Sequence, residues 1–355
     1  MNKDIMLLTA DSIALLKALI SIPSFSREEK DTAAQLCLFF EQRGIKVERV
    51  ENNIWAYNKY FDASKPTILL NSHHDTVKPN PGYTKNPFEP LVEDGKLYGL
   101  GSNDAGGCLV SLIAAFLYYY AEENLDYNLC LLASAEEEVS GKNGVEEAIK
   151  HLKKIDFAIV GEPTLLDLAV AEKGLMVLDC EAKGISGHAA REEGENAIYK
   201  AMRDVEWFRT YQFPKVSEHL GPVKMSLTMI QAGSQHNVVP ASCTFVVDVR
   251  TTDVYNNEEV LAIIREHVHS SVQARSTRLN PSTIDLQHPI VKAGMTLGAK
   301  LYGSPTMSDQ ALIPYPSLKV GPGDSARSHT ADEFIYLTEI ENGIRFYIEL
   351  LGKVL

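Results

Sequence analysis

The chain has 355 residues, and at roughly 150 residues per domain this length predicts two domains. Apolar residues make up 45% and charged residues 23% of the sequence, a composition that argues against disordered and fibrous proteins. The formal net charge of −13 and the pI of about 5.3 argue against a nucleic-acid-binding protein, which would need a basic surface.

The cysteines favour a reducing, cytoplasmic compartment. They are scattered and form no Cys-x-x-Cys pair, so we expect neither a disulfide framework nor a thiolate zinc site. The five are Cys37, Cys108, Cys130, Cys180 and Cys243. No run of about 18 apolar residues occurs, so we expect no transmembrane helix and no membrane partner.

The N-terminal region predicts two helices. A cap at Thr9 or Asp11 would begin an amphipathic helix, which we expect instead of a signal peptide because charged residues interrupt the apolar ones. Ser26 and Glu29 have the spacing of a capping box that would begin a second helix, and Gly44 would end it.

The next part of the chain alternates between strand-like and helix-like patterns. Continuous apolar runs predict strands at 67–72, 128–134 and 156–163, and longer patterns between them predict helices at 108–120 and 144–152. Continuous apolar strands separated by helices are typical of a sheet that is covered on both faces.

From about Gly174 the pattern changes to strand–helix–strand–strand–helix–strand, which is the ferredoxin-like order. After about Thr283 the α/β pattern resumes. We therefore predict a discontinuous α/β domain (1–173 and 284–355) that contains an inserted ferredoxin-like α+β domain (174–283). The elements of the second half are strands at 175–183, 223–233, 243–252 and 317–323, and helices at 195–211, 257–273, 290–303 and 337–351.

Metal-ligating residue types follow the apolar strands or precede a helix. Ligands of open α/β sheets bind at the carboxyl ends of the strands, so we expect these residues to converge. Each alone is more often a cap, a turn or a solvated charge, but their joint occurrence favours a metal site. Imidazole and carboxylate together suit zinc, with manganese or cobalt as alternatives. The candidates are His73, Asp75, Asp104, Glu136, Glu137, Glu138, Glu162 and His329.

Seven sequence segments, which contain these candidates or lie in the inserted domain, resemble those of a known protein family. They resemble the two-zinc metallohydrolase family that contains aminoacylases, acetylornithine deacetylases and succinyl-diaminopimelate desuccinylases. The resemblance implies a zinc-peptidase-like catalytic domain with a mixed sheet and an inserted dimerisation or lid domain. In chain order, the segments are NSHHDTV, GLGSNDAGG, SAEEEVSG, VGEPT, GISGHAAREEGENAI, NVVPASCTFVVDVR and SARSHTADEF.

The resemblance also implies roles for the metal candidates. Two zinc ions per subunit are expected, with cobalt or manganese as possible substitutes. His73 and Glu162 would hold one ion, Glu138 and His329 would hold the other, and Asp104 would bridge them. Asp75 would orient the His73 imidazole, and Glu137 would be the general base.

Three residues of the inserted domain receive roles in the same way. His188 would stabilise the oxyanion, often from the partner subunit of a homodimer. Asn237 and Arg250 would contact the substrate carboxylate. Lys173 and Arg327 flank the motifs and could bind a succinyl carboxylate, although a solvated surface position is equally expected for them.

The sequence departs from the family pattern where many relatives have Asp-Met-Lys-Gly and this chain has Asn-Asp-Ala-Gly-Gly. Glu136 also stands where aspartate is commoner, and His188 is not followed by the frequent Ser-x-x-Pro. None of these departures removes a ligand or the base. The remaining histidines, including His74, are expected to be structural or solvated.

These observations predict a cytoplasmic two-metal amidohydrolase that removes an acetyl or succinyl group from an amino acid. The subgroup it most resembles acts on N-acylated ornithine or citrulline in arginine biosynthesis. The alternatives are a succinyl-diaminopimelate desuccinylase or a dipeptidase of the same family. A metal-dependent binding protein without turnover is an alternative of another class, but such a protein has no need of Glu137.

Overall fold

We analysed a computed structural model that describes residues 4–191 and 193–355. The chain folds as two compact units. The first comprises the chain up to Val170, Thr283–Tyr302 and Ser308–Leu355, and the second comprises Ala171–Ser282 and Gly303–Met307. The sequence did not predict that residues 303–307 join the second unit. Gly303 packs there against His219, whose carbonyl oxygen would lie 2.2 Å from an added Cβ.

The helices of the described residues include four that are twelve to sixteen residues long and belong to the first unit. They are α1 (Ile5–Ile20), α2 (Lys30–Glu41), α3 (Gly107–Tyr119), α4 (Val145–Ile149), α5 (Ala197–Thr210), α6 (Asn257–His267), α7 (Pro289–Thr296) and α8 (Leu337–Gly352). None of these described helices is both long and apolar enough to span a membrane.

The strands range from two to ten residues. They are β1 (Glu48–Val50), β2 (Asn53–Tyr57), β3 (Thr67–His73), β4 (Leu91–Glu93), β5 (Lys96–Tyr98), β6 (Asn128–Ser134), β7 (Phe157–Val160), β8 (Leu168–Glu172), β9 (Gly174–Lys183), β10 (Gly187–His188), β11 (Lys224–Ala232), β12 (Val238–Val239), β13 (Ser242–Thr251), β14 (Ser271–Ala274), β15 (Ser282–Thr283), β16 (Leu301–Ser304), β17 (Ser317–Lys319) and β18 (Phe334–Tyr336).

A mixed sheet forms the centre of the first unit, and its strands follow the order β1-β2-β6-β3-β7-β17-β8. β3 runs parallel to β6 and β7, and His73 lies opposite Ser134 at the ends of β3 and β6. Every residue of β3 and β6 is buried, because α1, α3 and α8 cover one face and α4 covers the other. The predicted α/β layer with two covered faces is confirmed.

The two N-terminal capping predictions are wrong. α1 begins earlier, because the Asp4 carboxylate accepts the Met6 N–H and caps the helix there. Ser26 and Glu29 do not form a capping box. The Ser26 hydroxyl donates to Asp75, and the Glu29 carboxylate is buried and accepts the backbone N–H of residue 136. Ser26 and Glu29 thus have the spacing of a capping box, but their side chains form contacts with residues distant in sequence.

The second unit has the predicted ferredoxin-like order β9-α5-β11-β13-α6-β14. Its antiparallel sheet has the strand order β11-β13-β9-β14, and α5 and α6 cover one face. α6 ends six residues before the predicted end of that helix, and β14 follows. The buried Asp204 carboxylate accepts the N–H groups of His269 and Ser270, which fixes this segment outside the helix.

Candidate metal centre

His73 lies at the centre of a cluster of ligand-type side chains in the first unit. It is the last residue of β3, and its side chain is 1% exposed. Its Nε2 atom lies 3.3 Å from Asp104 Oδ1, 3.8 Å from Glu162 Oε1 and 4.0 Å from Glu137 Oε2. Three carboxylates from three other segments therefore converge on one imidazole nitrogen.

Asp104 lies between two imidazoles. Its Oδ1 atom faces His73, and its Oδ2 atom is 3.7 Å from His329 Nε2. The same His329 nitrogen is 2.9 Å from Glu138 Oε2. His329 has a φ of 60°, a left-handed backbone that is uncommon for residues other than glycine and that often marks a functional position.

The arrangement fits divalent cations. Ligand atoms of His73, Asp104 and Glu138 lie within 4.8 Å of one another. The same holds for a second group, which consists of His73, Glu137 and Glu162. In the described part of the chain, no lysine or arginine forms an ion pair with Asp104, Glu137 or Glu138. Carboxylates this close repel one another unless a positive charge lies among them. Imidazole nitrogen and carboxylate oxygen are ligands that suit zinc.

The protonation of the cluster reflects this crowding. Burial lowers the pKa of His73, but hydrogen bonds with Asp104 and Asp75 outweigh burial and raise that pKa well above its ordinary value. The hydrogen bond with a neighbouring carboxylate raises the pKa of His329 to about 9. Burial raises the pKa of Glu137 well above its ordinary value. Metals bind neutral imidazole and ionised carboxylate, so metal ions bound here would displace protons from these groups.

Asp75 links two parts of the cluster. Its Oδ1 atom lies 3.5 Å from His73 Nδ1, the ring nitrogen remote from Asp104. Its carboxylate also accepts the backbone N–H groups of Glu137 at 3.0 Å and Glu138 at 3.2 Å. Asp75 therefore contacts the imidazole that it is predicted to orient, and it also holds the turn that carries the two glutamates.

Glu333 is a buried carboxylate that the sequence analysis did not single out. It is 2% exposed and accepts the backbone N–H groups of Gly101 at 3.1 Å, Asn103 at 2.8 Å and Asp104 at 2.9 Å. Burial raises its pKa to about 8, and the nearby Asp104 adds to the rise. Glu333 thus fixes the loop that carries Asp104. It lies in the SARSHTADEF segment, but nothing in the sequence distinguishes it from a solvated acid.

His74, the neighbour of His73, has a structural role. It is 7% exposed, its Nδ1 atom lies 2.9 Å from Thr32 Oγ1, and its Nε2 atom lies 2.9 Å from the Asn52 carbonyl oxygen. Burial lowers the pKa of His74 to about 4. Both nitrogens of the neutral ring therefore have partners outside the cluster.

The second unit holds the other candidates at two separate places. His188 and Asn237 lie together, because β10 pairs with β12 and the Asn237 carbonyl accepts the Ala189 N–H. Arg250 lies near the far end of β13, and its guanidinium binds both carboxylate oxygens of Asp248, at 2.8 and 3.1 Å.

The length of β13 separates these two places. β12 leads into the Ser242 end of β13, and eight residues, or about 26 Å, separate Ser242 from Arg250. Within one chain, Asn237 and Arg250 therefore do not meet at one carboxylate. This separation follows from the extended conformation of β13, which corresponds to the strand predicted at 243–252.

The two other cations considered from the sequence differ in their surroundings. Arg327 donates to Glu339 Oε1 at 2.7 Å and is largely buried, so its charge is already balanced. Burial lowers the pKa of Lys173, and the positive charges of Lys224 and Arg250 lower it further. Lys173 is therefore part of a cationic group of the second unit.

A comparison with protein families assigns the chain. The sequence profile of peptidase family M20/M25/M40 matches residues 69–353, a range that contains every residue of the cluster. The chain belongs to this family. The predicted family and its class, metal-dependent hydrolases, are thereby confirmed, whereas a subgroup that acts on acylornithine is not shown.

The chain is also similar in sequence to a desuccinylase. The succinyl-diaminopimelate desuccinylase of Wolbachia pipientis wMel is 29% identical over 269 residues. The alignment covers 70% of this chain and 66% of that protein, which is slightly less than two thirds of its length.

Solved structures confirm the predicted fold. Aminopeptidase PepT from Bacillus cereus ATCC 10987 has a TM-score of 0.77 at 17% identity, with 98% of each chain covered. The M20 family metallo-carboxypeptidase Sso-CP2 from Sulfolobus solfataricus has a TM-score of 0.73 at 17% identity, with 97% of this chain and 98% of that chain covered. The YXEP protein of Bacillus subtilis, described as a dinuclear metal binding peptidase of the M20 family, has a TM-score of 0.72 at 16% identity, with 98% of each chain covered.

Proposed function

We propose that the protein is a two-metal amidohydrolase that removes an N-acyl group from an amino acid. The observation that carries this proposal is the position of Asp104, whose two carboxylate oxygens face His73 and His329. His73 and Glu162 would hold one ion, Glu138 and His329 would hold the other, and Asp104 would be shared by both.

Zinc ions, or cobalt or manganese in their place, would when bound supply Lewis acidity for the activation of a water molecule and the polarisation of the amide carbonyl. Glu137 carries the proton. Its carboxylate accepts a proton from the water as the water oxygen bonds to the amide carbon, and it returns this proton to the nitrogen as the C–N bond breaks. The products are a carboxylate and a free amino acid. His188 donates a hydrogen bond to the oxyanion.

A homodimer reconciles the two separated places of the second unit. A substrate carboxylate that contacts both Asn237 and Arg250 requires two chains, because about 26 Å of β13 separates them within one. β11 is an edge strand with exposed apolar side chains at Leu227, Met229 and Ile230, and natural proteins seldom leave such an edge uncovered. We therefore propose an isologous dimer in which His188 and Asn237 serve the partner's site.

Complementation tests this arrangement. His188→Ala and Glu137→Ala should each be inactive as homodimers. After subunit exchange, half of the randomly mixed dimers would hold one intact site, so the mixture should recover about a quarter of wild-type activity. Demonstrated exchange without recovery would mean that His188 does not act in the partner's site.

The substrate is proposed from the subgroup resemblance and from charge. Ornithine or citrulline with an N-acetyl or N-succinyl group, as in arginine biosynthesis, is the first candidate. N-succinyl-diaminopimelate is the second, and the similarity to a succinyl-diaminopimelate desuccinylase favours it. Lys224 lies opposite Arg250 in the sheet, so Lys173 and Lys224 lie near the Arg250–Asp248 pair in a group whose net positive charge suits an anionic substrate. The free cysteines of the structure favour the cytoplasm as the compartment.

Kinetics on matched N-acetyl and N-succinyl derivatives of ornithine, citrulline and diaminopimelate test the proposal. Substrates whose α-carboxylate is amidated should lose roughly 10–150-fold in kcat/KM, because a hydrogen bond to a charged group contributes about 1.5–3 kcal/mol. A preference for diaminopimelate or for free dipeptides would replace the ornithine assignment. Equal rates on amidated substrates would contradict carboxylate recognition.

A further inference from the structure

Asp309 is a buried acid that neither the sequence motifs nor the proposed chemistry uses. It begins the short 3₁₀ turn Asp309–Leu312 in the first unit and is 3% exposed. Burial raises its pKa to about 6. No lysine or arginine of the described chain forms an ion pair with it. A carboxyl group in such a position costs free energy unless hydrogen bonds satisfy it.

Two hydrogen bonds join Asp309 to the strands that carry the metal cluster. Its Oδ2 atom accepts from Asn71 Nδ2 at 2.8 Å and from Ser134 Oγ at 2.6 Å. Asn71 lies on β3, two residues before His73, and Ser134 is the last residue of β6, three residues before Glu137. One carboxylate therefore connects the ends of two neighbouring parallel strands at the point where both deliver candidate site residues.

The turn that follows Ser134 depends on such external contacts. Glu136 and Ser140 have φ values of 55° and 46°, which residues with a side chain rarely adopt. Regular strand hydrogen bonds do not continue through this turn, and side chains hold it instead. Asn53, Glu29 and Asp75 accept the backbone N–H groups of residues 135 to 138, and Asp309 accepts from Ser134 where the turn begins.

We propose that Asp309 is a positioning residue for the metal cluster. Through Asn71 it holds His73 in place, and through Ser134 it holds the turn of Glu137 and Glu138. The proposal rests on the proposed function, because the side chains that Asp309 positions are those proposed to bind the metal ions. Asp309 does not touch the ions or the substrate. Its removal should loosen the geometry in which the ligands meet, and hence weaken metal binding, while the chain still folds.

The test is the affinity of the full-length, metal-free protein for Co²⁺ alone, measured by isothermal titration calorimetry together with the free energy of unfolding. Asp309→Ala should weaken Co²⁺ binding roughly 10–100-fold, the usual effect of losing a residue that supports metal ligands. Ser134→Ala should weaken it less. The double variant should bind no more weakly than Asp309→Ala alone, because residues that act through one another are not additive.

Asp309→Asn should restore binding to within a few-fold of wild type. Ser134 can donate to the introduced carbonyl oxygen. Asn71 Nδ2 donates to the same carboxylate oxygen, Oδ2, as Ser134, so the introduced carbonyl oxygen can accept from both donors. This rescue distinguishes hydrogen-bonded positioning from an effect of charge.

Asn128→Ala is the matched control. Asn128 is 1% exposed at the opposite end of β6, where its side chain donates to the carbonyls of Asp62 and Lys65. Its removal should lower the free energy of unfolding and leave Co²⁺ affinity unchanged.

Three results would overturn the role of Asp309: unchanged Co²⁺ affinity in Asp309→Ala, an equal loss in Asn128→Ala, or an Asp309→Asn variant as weak as Asp309→Ala. The wild-type titration separately tests the proposed function. Absence of Co²⁺ binding by the wild type would overturn the metal centre itself, whereas the ratios between variants concern Asp309 alone.

Discussion

Glu137→Gln should lower kcat by roughly 10²–10⁴-fold or more, the usual contribution of a general base, while the protein keeps its metal ions. The amide has the shape of the carboxylate but cannot accept the water proton. Glu137 also contributes its backbone N–H to Asp75, and that contact survives the substitution. Metal content by elemental analysis and steady-state kinetics on the same preparation provide the measurement.

Glu136→Gln is the matched control for this substitution. The Glu136 side chain accepts a hydrogen bond from Asn143 Nδ2 at 3.1 Å, and a glutamine oxygen can accept the same bond. Its kcat should therefore stay close to that of the wild type. Near-normal turnover in Glu137→Gln would assign the proton transfer to another group.

Asp104→Ala should have the largest effect on metal binding. Asp104 faces both imidazoles, so its removal would deprive both proposed ions of a ligand and of a negative charge. Loss of a group that only supports a ligand costs about 10–100-fold in affinity, so the loss of this shared ligand should exceed about 100-fold. Zinc titration of the metal-free protein measures it, and activity should fall in parallel.

Asp11→Ala is the control for charge removal, because Asp11 is an exposed aspartate of α1 whose side chain is 55% exposed. It should bind zinc as the wild type does. Two ions bound at normal affinity by Asp104→Ala would exclude a bridging role for Asp104.

The sequence predicts the framework of the cluster because β3 and β6 are continuous apolar runs that end in ligand-type residues. A strand buried on both faces is mainly apolar, so its end is marked by the polar residues that close the apolar run, here Asn71 to His73 at the end of β3 and Ser134 at the end of β6. The placement of these residues together depends only on parallel strands ending at one edge of a sheet.

The supporting carboxylates could not be predicted in the same way. Glu29, Asp309 and Glu333 are single acids whose partners are distant in sequence: 107 residues for Glu29 and Glu136, and 238 for Asp309 and Asn71. A local pattern cannot report such contacts. Glu29 even matches a capping signal that the fold does not use.

The separation of Asn237 from Arg250 was overlooked for a different reason. Both belong to the NVVPASCTFVVDVR segment, and their nearness in sequence resembles nearness in space. Because the residues between them form an extended strand, each residue adds about 3.3 Å. The two ends of this extended segment therefore lie far apart, and Asn237 and Arg250 are at different places in the second unit.

The central claim is that each chain binds two divalent metal ions that its activity requires. The most direct measurement is elemental analysis of the purified protein before and after exhaustive chelation, with hydrolysis of an N-acyl amino acid assayed on each sample. The account predicts about two zinc ions per chain, as in two-metal sites, no activity after chelation, and recovery when zinc or cobalt is added back. Full activity in a chelated sample with far less than one ion per chain would contradict it.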